Sequence, residues 1–573
     1  MLDLEKRIDF GRGEQPVDLV VRNARLINVL SGEIHETSLA VAQGMVVGLG
    51  EEYEADRVLD ADGRYLCPGL VEGHIHIEST CLSPVEFCRA VAARGTAAVV
   101  CDPHEIANVL GLPGVEYMLA ATEGLPVAVY VMMPSCVPAT HLETSGASIG
   151  PDEVADMLRR HPDRILGLAE MMNFPGVLFK DPGVLAKLRA ARGRVIDGHA
   201  PLLSGRDLTA YILAGPDSDH ETTRPDEALE KLRKGMHLML REGSHEHNLL
   251  ELLPVVNEYN AQNVSLVSDD RHPWDLADKG HLDHNVRLAV AAGVSPIRAV
   301  QMASINTARR FGLHGRGALA PGYRADFFLV DDLNRFQPRD AHLGGIPLTE
   351  LDFSASTPAP ATGTRLGSVS AQTFRVPAGP KGADLAVIGI VPGQIITEKR
   401  ILPPRLENGA ATADPGRDLA KLAVLERHRG TGNVGLGFVT GLGLARGAVA
   451  STVAHDSHNC IVAGMNDADM ALAASEAVRQ GGGFSVALEG RVLATMPLPV
   501  AGLMSERPLA EVLQAHEALS RACGKLGRDD LEGMEDAFMI LSFLALPVIP
   551  SLKLTDKGLV DVDNFGFTDL WIE

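Results

Sequence analysis

The sequence predicts an α/β protein: a TIM-type (β/α)8 barrel carrying a small composite β-sandwich domain and an extra C-terminal α/β domain. Three observations predict it. Between Leu70 and Ser268, apolar runs of strand length alternate with helical patterns eight times, the order of a parallel barrel wrapped by its crossover helices. Short alternating runs precede this region and return after it, as two halves of one small β domain would. Finally, 573 residues exceed what one core organises, and a prior of ~150 residues per domain gives about three or four.

Composition narrows the classes. Forty-six per cent hydrophobic and 22% charged residues are ordinary for a globular chain. A net charge of −22 repels phosphate backbones and anionic membranes, so nucleic acid and membrane partners are not expected. No apolar run reaches the ~18 to 20 residues of a membrane span, and Met1 to Lys6 lacks a signal peptide's apolar stretch. A cytoplasmic protein is expected. Its seven cysteines are an odd number with no Cys-X-X-Cys pair, and they read as buried free thiols.

Taken in order, Val17 to about Val58 reads as β-hairpins punctuated by glycine, and Ala318 to Asp331 as their complement in one sheet. The barrel strands are expected at Leu70 to Ile77, Ala97 to Cys101, Val127 to Met133, Ile165 to Ala169, Val195 to Gly198, weakly near Asp217, at His237 to Leu240 and at Val264 to Ser268. Ser354 to Gly363 reads as a linker. Beyond it come a strand at Ala386 to Val391 and helical patterns at Arg417 to Arg427, Asp467 to Gln480 and Leu509 to Ala522. Gly441 to Gly447 lacks Gly-X-Gly-X-X-Gly spacing and reads as a turn. The domains expected are 1–63, the N-terminal part of the small β domain; 64–313, the barrel; 314–364, the return and linker; and 365–573, the C-terminal domain.

Function is read from the ends of the strands, because catalytic groups of such barrels sit at the carboxyl face. His74 and His76 are two residues apart on a strand and share a face, so their neutral imidazoles can grip one ion. Past the later strands come Asp102 and His104, Glu170, Asp197 and His199, His220, Arg241 and Glu242, then Asp269 and Asp270. Each has a structural explanation taken singly: Asp102 before Pro103 opens a turn, Asp270 caps a helix, Glu170 pairs with an arginine. That explanation must be repeated at six strand ends in the same placement.

Converging histidines and carboxylates suit a pair of divalent ions, Zn, Mn or Fe. Glu170 is the candidate bridge and Asp269 the candidate proton carrier, in a metal-assisted hydrolysis where bound water becomes hydroxide near neutral pH. His455 and His458 read as a polar turn after the apolar run ending at Ala454, in preference to a metal site or a contact with the barrel mouth. His245 and His247 read as surface residues, with a third metal site as the alternative.

Pro68 to His76 resembles the first-strand signature of the amidohydrolase superfamily, and Gly322 within Ala320 to Asp326 resembles the return into that superfamily's small β domain. Asp102 to Asn108, Gly198 to Ala200, Ser218 to Glu221, Arg241 to Ser244 and Ser268 to Pro273 are similar to motifs of its adenine deaminase family. The resemblance implies hydrolytic deamination of adenine to hypoxanthine and ammonia by a metal-bound hydroxide at two divalent ions, Mn or Fe ahead of Zn. It implies His74, His76 and Asp269 on the first ion, His199 and His220 on the second, and Glu170 bridging where the superfamily often has a carboxylated lysine. Glu242 or Glu221 would hold ring nitrogens, with Asp102, His104, Asp270 and Arg241 beside the metals or as further ligands; Arg241 as a structural ion-pair partner is the equal alternative. A purine substrate and a homodimer are expected. The alternatives are a cyclic amidase or deacetylase on the same barrel, or a non-catalytic metal-binding or assembly protein.

Overall fold

The computed structural model describes residues 3–354, 357–360, 364–392, 396–527 and 537–573. Eight short strands form the barrel: β1 (Leu70–Ile75), β2 (Thr96–Cys101), β3 (Ala128–Met133), β4 (Ile165–Met171), β5 (Val195–Gly198), β6 (Ser218–Asp219), β7 (His237–Arg241) and β8 (Val264–Val267). β1 to β5 pair in sequence order, as do β6 to β8, and all pairings are parallel. Two seams close the ring. Asp269 N–H donates to the His74 carbonyl at 2.9 Å, and Asp217 N–H to that of Ile196 at 3.2 Å.

The strands read as near-continuous apolar runs because helices cover the outside while Val71, Ala98, Val100, Met132, Ala169, Met239 and Val267 cluster as one apolar group. Pairing shifts register between Glu72 and Ile75 and between Ile196 and Gly198. Such bulges re-aim side chains at strand ends, here beside His74 and His199.

The two β blocks flanking the barrel meet as expected. Five strands between Val17 and Pro68 and three between Phe327 and Pro347 make one eight-stranded sheet, joined where Phe327–Val330 runs antiparallel to Tyr65–Pro68. Pro68 leads directly into β1, so the sheet fixes the entry of the first histidine strand.

The later region holds a nine-stranded sheet flanked by helices Asp467–Arg479 and Leu509–Gly524. The helix expected over Arg417 to Arg427 is a strand, Leu419–Leu425. Its alanines and leucines favour a helix locally, but every residue of the strand is buried and it pairs on both edges, so tertiary packing overrides propensity. Of the linker expected over 354–363, residues 355–356 and 361–363 lie outside the described residues. All seven cysteines are buried and unpaired with one another.

Candidate metal centre

The carboxyl ends of the barrel strands bring together every residue proposed as a metal ligand. Glu170, at the end of β4, stands in the middle. Its Oε1 lies 3.5 Å from His76 Nε2 and 3.5 Å from His104 Nδ1, while Oε2 lies 3.2 Å from His220 Nε2 and 2.5 Å from His199 Nδ1. Asp269 Oδ1 is 3.6 Å from His74 Nε2 and 3.1 Å from His76 Nε2. The donor atoms of His74, His76 and Asp269 lie within 4.8 Å of one another, as do those of His74, Glu170 and His220.

Local structure sets these side chains. His76 Nδ1–H donates to the Asp102 carbonyl at 3.0 Å, which leaves the Nε2 lone pair facing the centre. The Tyr211 hydroxyl accepts from His199 N–H at 3.1 Å and donates to the Met171 carbonyl at 2.8 Å, tying β4 to the loop after β5. Glycine is required at 198, where a Cβ would meet the Ser218 carbonyl oxygen at 2.2 Å; the closeness of β5 and β6 is what sets His199 beside His220. Asp269 has φ 56°, a left-handed backbone that costs free energy and is tolerated where surrounding structure fixes it.

Electrostatics favour cations here. Burial alone would raise the Asp269 carboxyl, but His74, His76 and Arg241 outweigh it and hold it well below the usual carboxylate range. Glu170 is held low in the same way, with His199 and His220 outweighing its burial. His74 Nε2, Asp102 Oδ2 and His104 Nδ1 are buried with no hydrogen-bond partner among the described residues. Unpaired polar atoms so placed are costly, and a donor set of imidazole nitrogens and carboxylate oxygens fits divalent Zn, Mn or Fe.

The remaining candidates fall in different places. Arg241 Nη1 donates to Asp269 Oδ2 at 2.8 Å and also pairs with Glu221, so it acts as an ion-pair partner to two carboxylates of the centre. Glu221 Oε1 reaches to 3.6 Å from His220 Nε2 and 3.9 Å from His199 Nδ1. Asp270 accepts from the Ser79 hydroxyl. Glu242 instead binds His247, whose Nδ1 lies 2.7 Å from its Oε1. His247 is exposed, as expected, whereas the half-buried His245 packs its ring 5.1 Å from that of His272.

Two groups escaped the sequence reading. Glu246 comes back over the barrel mouth because Gly243 N–H donates to its carbonyl at 3.0 Å, closing a tight turn. Burial lifts its carboxyl to about 7 against the pull of Arg241, with Asp270, Asp269 and Glu221 adding to the rise. Its Oε2 is shielded from solvent and has no hydrogen-bond partner among the described residues. The second is Lys231, buried beneath the β5 and β6 loops, whose ammonium donates to Asp219 at 2.9 Å, Glu227 at 2.6 Å and the Ala200 carbonyl at 2.8 Å. Asp219 in turn accepts from Ala200 N–H at 2.8 Å, so this network carries His199 and His220. Lys231→Met strands two buried carboxylates and is expected to cost about 3 to 5 kcal/mol, seen as a lower denaturant midpoint. A loss under about 1 kcal/mol would show that the network does not bear this load.

The expected polar turn at His455 to His458 also reaches the barrel, which corrects the sequence reading. His455 Nδ1 lies 2.8 Å from Glu105 Oε1, and His458 Nε2 binds Glu105 Oε2. A periodicity argument has no access to a contact across some 350 positions. Nearby, a small cleft lies between barrel and C-terminal residues, among them Cys81, His272, Trp274, Phe484 and His516. Trp274 stacks on His516 with ring centroids 3.7 Å apart.

Two family models match this chain. The Amidohydrolase family model matches residues 65–369, and the Adenine deaminase C-terminal domain model matches residues 394–566. The adenine deaminase of Oleidesulfovibrio alaskensis is 60% identical over 566 residues, covering 98% of each chain. That of Desulfatibacillum aliphaticivorans is 48% identical over 578 residues, covering 100% of both. The crystal structure of an adenine deaminase superposes with a TM-score of 0.44 at 14% identity, over 58% of this chain and 98% of that one. With relatives this similar along its whole length, the chain belongs to the adenine deaminase family of the amidohydrolases.

Proposed function

We propose that the protein hydrolyses adenine to hypoxanthine and ammonia at two divalent ions, Mn or Fe ahead of Zn. The observation that carries the two-ion reading is Glu170, whose two oxygens face two separate imidazole sets. His74, His76 and Asp269 would hold one ion, His199 and His220 the other, with Glu170 shared. When bound, the ions lower the pKa of a coordinated water toward neutrality and so supply a nucleophile at pH 7.

The chain's own groups then handle protons. Asp269, ionised and fixed by Arg241, accepts the proton of the attacking water as a C–O bond forms at C6 of the purine. It returns that proton to the exocyclic nitrogen, the C–N bond breaks, and ammonia leaves. Glu246, whose buried Oε2 has no hydrogen-bond partner among the described residues, gives a proton to a ring nitrogen as charge develops there and recovers one from the new C6 hydroxyl as the carbonyl forms. Glu221, held by Arg241, lines the same space. Glu246→Gln is expected to lower kcat about 100-fold with little change in KM; an unchanged kcat would remove this role.

We assign the chemistry to the barrel, residues 64–313, with 1–63 and 314–364 making the small β domain and 365–573 the C-terminal domain, whose His455 and His458 reach Glu105. Among the described residues no helix is long and apolar enough to cross a membrane. The test is direct. Metal-loaded protein incubated with adenine, guanine, dihydroorotate and N-acetyl sugars should release ammonia from adenine, and no ammonia from adenine rejects the proposal.

A further inference from the structure

We propose that His104 and Asp102 are additional ligands of the ion on the His76 side, and that His455 and His458 hold His104 in its ligating state through Glu105. This rests on the metal-centre reading above and deepens it. Four donors, from His76, Asp102, His104 and Glu170, lie within 4.8 Å of one another, and all four residues are buried. His104 Nδ1 is 3.2 Å from Asp102 Oδ2 and 3.5 Å from Glu170 Oε1. An imidazole lone pair that close to two carboxylates is repelled unless a cation stands between them.

Hydrogen bonds on the far side of the ring decide which nitrogen is bare. Ala454 N–H donates to His458 Nδ1 at 3.2 Å. That nitrogen is therefore an acceptor, and the His458 proton sits on Nε2, where it donates to Glu105 Oε2. His455 Nδ1–H donates to Glu105 Oε1 at 2.8 Å. The carboxylate is thus fixed by two imidazoles from the C-terminal region, in a pocket where Glu105 is 2%, His455 5% and His458 1% exposed. From that position Glu105 Oε1 stands 3.3 Å from His104 Nε2. A proton on Nε2 facing Glu105 leaves Nδ1 bare toward Asp102 and Glu170, the carboxylate–histidine–metal arrangement by which outer groups orient a ligand. The C-terminal region thereby supplies the outermost members of a chain of contacts that runs from His455 and His458 through Glu105 and His104 to the ion.

The experiment measures Mn(II) affinity of the full chain by equilibrium dialysis of the chelator-stripped protein, so it does not depend on turnover. His104→Ala should weaken one of the two ions and leave the other, and at least as much as His458→Ala, for which a 10- to 100-fold loss is expected. His458→Gln, which retains an N–H for Glu105, should recover most of the loss, and Glu105→Gln should repeat it should His458→Ala fail to fold. In the His104→Ala background, Glu105→Gln and His458→Ala should cost nothing further. Wild-type affinity in His104→Ala would mean that a proton, not an ion, sits at Nδ1, and would overturn the proposal. Equal losses in both backgrounds would overturn the relay. Because ammonia release is not the readout, either failure leaves the deaminase assignment standing.

Discussion

Glu170→Ala is expected to leave the protein with one ion or none and with ammonia release from adenine at least about 1,000-fold below wild type. Glu170 is the residue whose carboxylate faces His76 on one oxygen and His199 and His220 on the other. Removing it takes a donor from both sets at once and leaves buried imidazoles facing each other with less negative charge between them. An ion contributes several kcal/mol to stabilising developing charge, and each 1.36 kcal/mol is tenfold in rate, which gives the stated loss. Elemental analysis of the dialysed protein checks the first half and an ammonia assay the second. Glu170→Gln separates charge from shape, because its amide oxygen can serve only one of the two sets. Two ions held at wild-type affinity in Glu170→Ala would mean that the histidine sets bind independently, and the bridged pair would have to be abandoned.

Much of this centre was legible because a barrel converts sequence position into spatial position. Each strand is short and each ends at the same face, so the polar residues at or just past those ends, among them His74, Glu170, His199, His220 and Asp269, are legible as one cluster, while their division between two ions came from the family resemblance. The return of the small β domain was legible because Phe327 to Val330 is a short apolar run of strand length between Asp326 and Asp331, matching the strand it joins. What escaped depended on geometry that no local pattern carries. Glu246 reaches the mouth only through the turn closed by Gly243, while the histidines on either side of it lie against His272 and Glu242. Lys231 sits on an ordinary amphipathic helix, and only the folded chain shows that its ammonium is wholly enclosed. The strand Leu419–Leu425 carries helix-forming residues, and its true state is set by neighbours on both edges.

Asp269→Asn should separate binding from chemistry: the protein is expected to keep its ions while kcat falls about 100- to 10,000-fold, the range for a positioned proton carrier. With its single amide oxygen toward His74 and His76, where Oδ1 stands in the wild type, an asparagine keeps the donor to that set and the left-handed backbone position, which it tolerates as aspartate does. Its NH2 takes the place of the oxygen that accepts from Arg241, and that hydrogen bond is lost. Basicity is lost with it. In the wild type, Arg241 and the two imidazoles keep Asp269 ionised despite burial, so it is ready to take a proton over the whole neutral range, and the amide cannot. The wild-type group contributes a descending acid limb, since activity that needs the carboxylate is present above its depressed pKa and lost as pH falls through it. The variant should show no such limb, and raising the pH should not rescue it. If Asp269→Asn retained near-normal kcat with both ions bound, the proton would have to travel through another group, and Glu246, its shielded neighbour with a carboxyl near 7, would be the next residue to substitute.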